Sequence, residues 1–456
     1  MKIDYKGMIR DYAVKKATAL VKDRIKDRIK DLGRDSVVIA GAGIAGSFLA
    51  GRLAGQGIRV TVLEKAPAHF LEPDWSEPVS IKTLSQAGLP AYDGSVNIKR
   101  SRDDIRLYEP VRPHRAFIRL KGSLFELPMD VVLIDRRALL RYLREKAVAA
   151  GAQIHYGISA VGMAENIVMA HDRHGNMFQF ACNMAIDATG PDGRLRCSDE
   201  MNPLFARPLD SAAFSYVRRV LVASPANGTD IHARIAPYRQ WLTPYGPYMT
   251  EKGLLTASSE SAKAPWQPLI NGQSGRQMSQ RVYCGMPLVM PAVGRMLAVG
   301  SAAGQTDALT GVTIGPALRA SMLAEDTVRK ALERHDFSMA GTWGYGHSFF
   351  VTSRLGARQS AISYLAGQMS KITVEQLSDW HEQDLMSERF LASLTDPYAD
   401  FDYDGLLEKV VLSSSGMQFV GVLRKMEKIY RMAMAYPELS DKEGLDTWYR
   451  EMKGLR

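Results

Sequence analysis

At 456 residues the chain exceeds one typical core, so two or three subdomains are expected. Its 46% hydrophobic and 23% charged content is ordinary for a globular protein. No apolar run approaches the roughly 18 residues of a membrane span. The three cysteines (Cys182, Cys197 and Cys284) are widely separated and odd in number, which excludes a disulfide framework, a zinc knuckle or an iron–sulfur pattern and fits a reducing cytoplasm. The net charge is +9, but basic and aromatic residues are nowhere interleaved, which argues against a nucleic-acid partner.

That charge is uneven. Residues 1–35 hold eleven Lys/Arg against six Asp. Within them Ala17, Val21, Ile25, Ile29 and Leu32 form one apolar stripe at helical spacing, predicting an amphipathic helix over residues 1–34. Such a helix packs on its own protein, on a partner subunit or on an anionic membrane surface. The interspersed Asp residues favour the protein contact over a peripheral membrane role.

The next stretch, "VVIAGAGIAGSFLAGRLAGQGIRVTVLEK" from Val37 to Lys65, is the most informative in the chain. "VVIA" predicts a buried parallel strand. Gly41 permits a tight turn, Gly43 admits a pyrophosphate close to the backbone, and Gly46 lets the following helix pack tightly. Unpaired N–H groups at the start of that helix, around Ala45, suit a diphosphate. "RVTVLE" predicts the second strand, and Glu64 stands about where an acidic side chain meets a ribose hydroxyl, roughly 20 residues past the glycines. The acid admits FAD or NAD and disfavours NADP, whose 2′-phosphate it would repel.

After a Pro-rich connection, "DIRLYEP" predicts a strand and "AFIRLKGSLFELP" a hairpin turning at Lys121-Gly122. "MDVVLIDRRALLRYLREKAVAAGAQIHYG" predicts strand, helix and strand, with Asp135 as the N-cap. A meander follows, in which His171 and His174 mark a polar hairpin turn rather than a metal pair. It returns to a buried strand at "MAIDATG". Residues near 211–262 alternate like strands. "GRMLAVGSAAGQTDALTGVTIGPALRASMLAED" predicts strand, glycine-rich loop and long helix, and the chain beyond about Phe337 reads as mostly helical.

In this order the pieces resemble the FAD-dependent p-hydroxybenzoate hydroxylase superfamily, most closely its geranylgeranyl reductase branch. Four motifs carry the resemblance. They are the glycine stretch, "LIDRRALLRYLREKA" with its Asp135-Arg136, "AIDATGPDGRLR" with Gly190, and "LAVGSAAGQTDALTGVTIGPALRASMLAED". The resemblance implies an α/β fold: a discontinuous, glutathione-reductase-like Rossmann FAD domain with an inserted β-sheet substrate domain and a helical C-terminal region. The expected division is 1–34 for the N-terminal helix, 35–95, 130–198 and 285–335 for the FAD domain, 96–129 and 199–284 for the substrate domain, and 336–456 for the helical region.

The resemblance also implies noncovalent FAD, held by Gly41, Gly43, Ala45, Gly46, Glu64, Lys65, Arg136, Gly190, Ser301, Gly304, Gly311 and Ile314, with no metal. Ser301 replaces the acid that the family uses on the ribityl chain. The family's Thr-Gly-Glu-Gly-Ile stands here as Thr310-Gly311-Val312-Thr313-Ile314, and "EPVSIKTL" lacks the reductases' cysteine. The helix after Gly311 is expected to aim its N-terminus at the pyrimidine end of the flavin. "QWLTPYG" partly matches the reductases' Trp-x-Phe-Pro-x-Gly at Trp241, Pro244 and Gly246. Trp241 either walls a substrate pocket or fills the sheet core; Tyr238 and Tyr245 are candidate proton donors, and Lys82 and Lys99 read as solvated.

Three reaction classes fit: reduction of a carbon–carbon double bond in a hydrophobic, isoprenoid-like substrate, monooxygenation or halogenation of an aromatic one, or electron transfer to a quinone or protein. There is no second dinucleotide fingerprint, so the electron donor is either NAD(P)H visiting the flavin or a reduced protein.

Overall fold

The computed structural model describes residues 35–70, 76–89, 114–120, 123–198, 202–223, 231–234, 239–244, 249–256, 275–368, 417–438 and 441–455. The helix read over 1–34, the strand at 104–110, Lys99, Tyr238, Tyr245 and Gly246 lie outside them. Among the described residues no helix is long and apolar enough to cross a membrane.

The first sheet is assembled from β1 (Ser36–Ala40), β2 (Arg59–Glu64), β6 (Gln153–Tyr156), β10 (Met184–Asp187), β16 (Ala292–Val293) and β17 (Met296–Ala298), in the order β16-β17-β10-β1-β2-β6. β1 pairs in parallel with β2 on one side and with β10 on the other. The strand order therefore reverses beside β1, which opens a crevice at the carboxyl ends of these strands. Alternate side chains of β1 leave on opposite faces. Val37 and Ile39 join the core beneath α1 (Ile44–Gly55), α3 (Arg136–Ala149) and α5 (Ile314–Arg334), with the short helices α2 (Ile81–Gln86) and α4 (Pro203–Ala206) falling between them in the chain. Val38 and Ala40 join a second core facing the C-terminal helices. An apolar run with no polar alternation is what burial on both faces demands.

The second sheet has eight strands in the order β15-β11-β14-β13-β12-β4-β5-β3. They are β3 (Ser76–Ser80), β4 (His114–Leu120), β5 (Ser123–Asp135), β11 (Phe214–Ala223), β12 (Ile231–Arg234), β13 (Arg239–Pro244), β14 (Met249–Thr256) and β15 (Gly275–Tyr283). The expected hairpin is present as β4 and β5, with Leu120 opposite Ser123. β3, which falls inside the 35–95 segment, pairs antiparallel with β5 as an edge strand of this sheet. Long β5 then feeds directly into α3, whose N-cap Asp135 accepts the Ala138 N–H at 2.8 Å. One continuous strand-helix thus joins the two sheets.

A three-stranded meander, β7 (Ile158–Ala164), β8 (Ile167–Asp172) and β9 (Met177–Ala181), turns at the expected histidines. Asp172 accepts the His174 and Asn176 N–H groups there, at 2.8 and 3.0 Å. Beyond α5 come α6 (Met339–His347), a π-helical turn (Ser348–Thr352), α7 (Leu355–Gln368), α8 (Met417–Met434) and α9 (Lys442–Gly454). They close on an aromatic cluster in which Phe350 stacks on Tyr436 at 5.0 Å and Trp448 meets both edge-on.

Candidate functional site

The crevice beside β1 is a cleft of about 290 Å³. Its floor is the turn from β1 into α1. Gly41 has φ +102°, and a Cβ there would sit 2.3 Å from the Ala188 carbonyl oxygen. A Cβ on Gly46 would fall 2.0 Å from the Gly41 oxygen. Both positions exclude every other residue, so backbone forms this wall. Gly43 caps α1 and has no side chain to accept a hydrogen bond, so the helix's first N–H groups keep their anion-binding character.

Glu64, at the end of β2, accepts the Ala42 N–H at one oxygen and the Ala66 N–H at the other, each at 2.8 Å. A carboxylate oxygen accepts more than one hydrogen bond, so each retains capacity for a hydroxyl. Arg144 on α3 donates to the Ala42 carbonyl at 3.0 Å and lines the same end. Sequence reading missed this arginine. Its signal was a charge set among the apolar positions Leu140, Leu143 and Ala147 of one helix face.

The opposite wall comes from the turns after β10 and β17. Asp187 is fully buried. One oxygen accepts the Thr189 N–H and hydroxyl, and the other accepts the Arg196 N–H at 2.7 Å. Burial pushes its carboxyl above the usual carboxylate range, opposed by those hydrogen bonds. This bracing sets Thr189 and Gly190 (φ +82°) along the cleft. Gly300 (φ +63°) packs on Ala45 of α1 and donates to Gln305, which in turn donates to Tyr345. Ser301 follows it into the cleft.

The cleft therefore gathers Gly41, Gly43, Ala45, Glu64, Lys65, Arg136, Gly190 and Ser301 along one wall-to-wall path. Gly46 stands behind it as packing. Gly304 and Gly311 lie outside the lining: Gly304 ends the Gly300–Ala303 turn at φ +65°, and Gly311 packs against Leu255 and Val282 of the large sheet.

The N-terminus of α5 reaches the cleft at Thr313. Its first turn contains no acid and Thr313 makes no side-chain cap, yet its N-terminus is not open. Glu77 on β3 accepts the Thr313 N–H at 2.8 Å and the Ile314 N–H at 3.1 Å. Arg136 donates to Glu77 at 3.0 Å and to the Thr313 hydroxyl at 2.6 Å. Orphan N–H groups this deeply buried require an acceptor, and the chain supplies one from a distant strand. Nothing in the stretch "EPVSIKTL" distinguishes Glu77 from a surface acid, because its partners lie 59, 236 and 237 residues away.

Trp241 lies flat over Gly253, its cross-strand partner, where a Cβ would collide with the indole. Its Nε1 donates to Glu251 at 3.2 Å, and the Arg219 guanidinium stands 5.1 Å from the ring centre. Arg219 pairs with Glu251 at 2.9 Å and also donates to the Ser76 carbonyl. Trp241 is thus half-buried on the large sheet and does not line the cleft. Lys82 is exposed, as expected.

The donor set fits a dinucleotide: backbone N–H groups and arginines where phosphates need them, a carboxylate where a ribose needs one, and small residues between. Residues 34–200 match a family described as "FAD binding domain". Residues 34–200 thus form an FAD-binding domain, and the match supports the resemblance to the p-hydroxybenzoate hydroxylase superfamily of FAD-dependent oxidoreductases.

This flavoprotein is 26% identical over 320 residues to digeranylgeranylglycerophospholipid reductase 1 of Methanothermobacter thermautotrophicus, covering 66% of this chain and 78% of the relative. Its fold resembles a geranylgeranyl bacteriochlorophyll reductase-like protein from Thermoplasma acidophilum, with TM-score 0.63 and 16% identity over 87% of this chain and 100% of the other. A flavin-dependent brominase shares the fold nearly as well, with TM-score 0.62 and 13% identity over 87% and 99%. The shared fold thus spans reductive and oxidative chemistries.

Proposed function

We propose that this flavoprotein reduces a carbon–carbon double bond in a hydrophobic, isoprenoid-like substrate. The observation that supports it is the 320-residue likeness to a reductase, which is longer than the FAD-domain match over residues 34–200 and so extends beyond the nucleotide site. Bound FAD supplies the hydride, replenished by an external donor, NAD(P)H or a reduced protein.

The chain's own residues hold and orient. We assign Gly41, Gly43, Ala45 and Gly46 to the pyrophosphate, Glu64 and Lys65 to the ribose end, and Ser301 to the ribityl chain. Arg136 and Gly190 complete the cleft wall, and the loop carrying Gly304 and Gly311, with Ile314 at the head of α5, shapes the ring end. Arg239 straps that loop to the large sheet by donating to the Ala308 and Leu309 carbonyls at 3.1 and 2.7 Å. We assign Trp241 to the substrate side as a wall, since its N–H is committed to Glu251, and Tyr238 as the candidate proton donor.

The FAD-loaded protein, photoreduced without oxygen, should saturate a geranylgeranyl lipid, seen as a mass gain of two hydrogens per bond reduced. Unchanged lipid, with oxygen or halogen incorporated into an aromatic substrate in air, would overturn the reductase reading. Unchanged lipid with rapid oxidation by a quinone would replace it with electron transfer.

A further inference from the structure

Glu77 is 1% exposed, and Arg136 and the Thr313 and Ile314 N–H groups all donate to its carboxylate. It forms a three-part charge arrangement with the N-terminus of α5 and with Arg136. Two of the residues that touch it, Arg136 and Thr313, line the cleft together with Gly300 and Ser301, whereas Glu77 stands behind them. The charge is therefore one side chain removed from whatever the cleft holds.

We propose that Glu77 is a positioning residue that lowers the reduction potential of the bound FAD by cancelling the positive end of α5. An uncapped helix N-terminus carries roughly half a positive charge. Together with the Arg136 guanidinium it would make this wall strongly cationic. Two-electron reduction with uptake of one proton leaves FAD anionic, so a cationic wall favours the reduced form and weakens it as a donor. The Glu77 carboxylate, held at 2.8 and 3.1 Å from two α5 N–H groups and at 3.0 Å from Arg136, offsets that field. The cluster is shielded from water, so the field is poorly screened. A lower potential suits the unactivated double bond of the proposed function. The inference requires only that FAD occupy the cleft.

The experiment is dye-equilibrated reductive titration of the full-length, FAD-loaded protein and three variants. Glu77→Gln keeps the shape and removes the charge. It should shift the reduced-to-oxidised ratio at least tenfold toward reduced, about 30 mV more positive for a two-electron couple. Glu77→Asp keeps the charge and should stay within about threefold of the parent. Arg136→Gln removes the opposing charge and should shift the ratio the other way.

A loaded Glu77→Gln protein with an unchanged potential would overturn the proposal. So would shifts of the same sign in Glu77→Gln and Arg136→Gln, which mark general loosening. Loss of FAD from both Glu77 variants would make Glu77 a structural brace and likewise overturn it. The parent's flavin spectrum, recorded first, reports separately on the cofactor reading, and lipid reduction reports separately on the substrate.

Discussion

At one end of the cleft the wall is the backbone of Gly41 to Gly46; at the other it is the side chains of Arg136 and Thr313, backed by Glu77. The first end is made within a single βαβ unit, where each constraint lies a few residues from the next. The second end needs three remote segments to meet: β3 brings Glu77, α3 brings Arg136, and α5 brings the N–H groups. Behind it the large sheet repeats the device, with Glu251 of β14 holding Arg219 of β11, Trp241 of β13 and, through its backbone, Ser76 of β3. Local geometry selects glycines, which have no freedom to change. Long-range geometry selects charged pairs, whose contribution depends on every partner being present.

The largest expected effect lies in the large sheet. Glu251 and Arg219 are 1% and 7% exposed, so removing one partner leaves a buried charge without its counter-ion. Glu251→Ala should cost about 3–5 kcal/mol of stability. Replacing both residues with apolar ones of similar size should recover most of that loss. If the two ends are separable, the double variant should bind FAD as the parent does. A denaturant titration beside flavin content checks this, and loss of flavin from a stable double variant would couple the ends.

A smaller effect is expected at the glycine end. Glu64→Gln preserves the shape, but one backbone N–H, of Ala42 or Ala66, then faces an amide NH2. Loss of one charge-assisted hydrogen bond is worth about 1.5–3 kcal/mol. FAD affinity should therefore fall roughly ten- to a hundredfold. Equilibrium dialysis of the flavin measures it, and unchanged affinity would remove Glu64 from the nucleotide site.

The same contrast explains what could be read in the sequence. The strand, glycines, helix and Glu64 were legible because their spacing is the structure. So were the Asp135 cap and the β4–β5 hairpin. Glu77 and Arg144 were not, since an acid in "EPVSIKTL" and an arginine on a helix look like solvated charges until their partners are placed. Trp241 could not be assigned either, because its role depends on Gly253, Glu251 and Arg219 on neighbouring strands. The α5 N-terminus was read from its own neighbourhood alone, and its cap comes from another sheet.

The buried cysteines offer the finest probe of the contrast, one in the core of the parallel sheet and one against the large sheet. Cys182 leads into the amino end of β10 in the core of the parallel sheet, its N–H bonded to the Asn166 carbonyl at 2.8 Å, and burial pushes its thiol up to about 12. Cys284 follows β15 in the apolar cluster with Val217, Leu255 and Val282, against which the Gly311 loop rests. Burial raises its thiol too, opposed by the nearby Arg239 charge. The thiolate is the reactive form, so at pH 8 both should label far more slowly than half-buried Cys197. Removing FAD should separate the two. The loop over Cys284 is pinned by Arg239 and by the Glu77 cap, contacts that local opening can release one at a time. Cys182 is exposed only when the parallel sheet itself opens. Peptide mass spectrometry after timed alkylation should therefore show Cys284 accelerating in the FAD-free protein while Cys182 stays slow. Acceleration of Cys182 first, or of both together, would mean that the parallel sheet carrying the glycine turn is no more rigid than the loop held by long-range contacts.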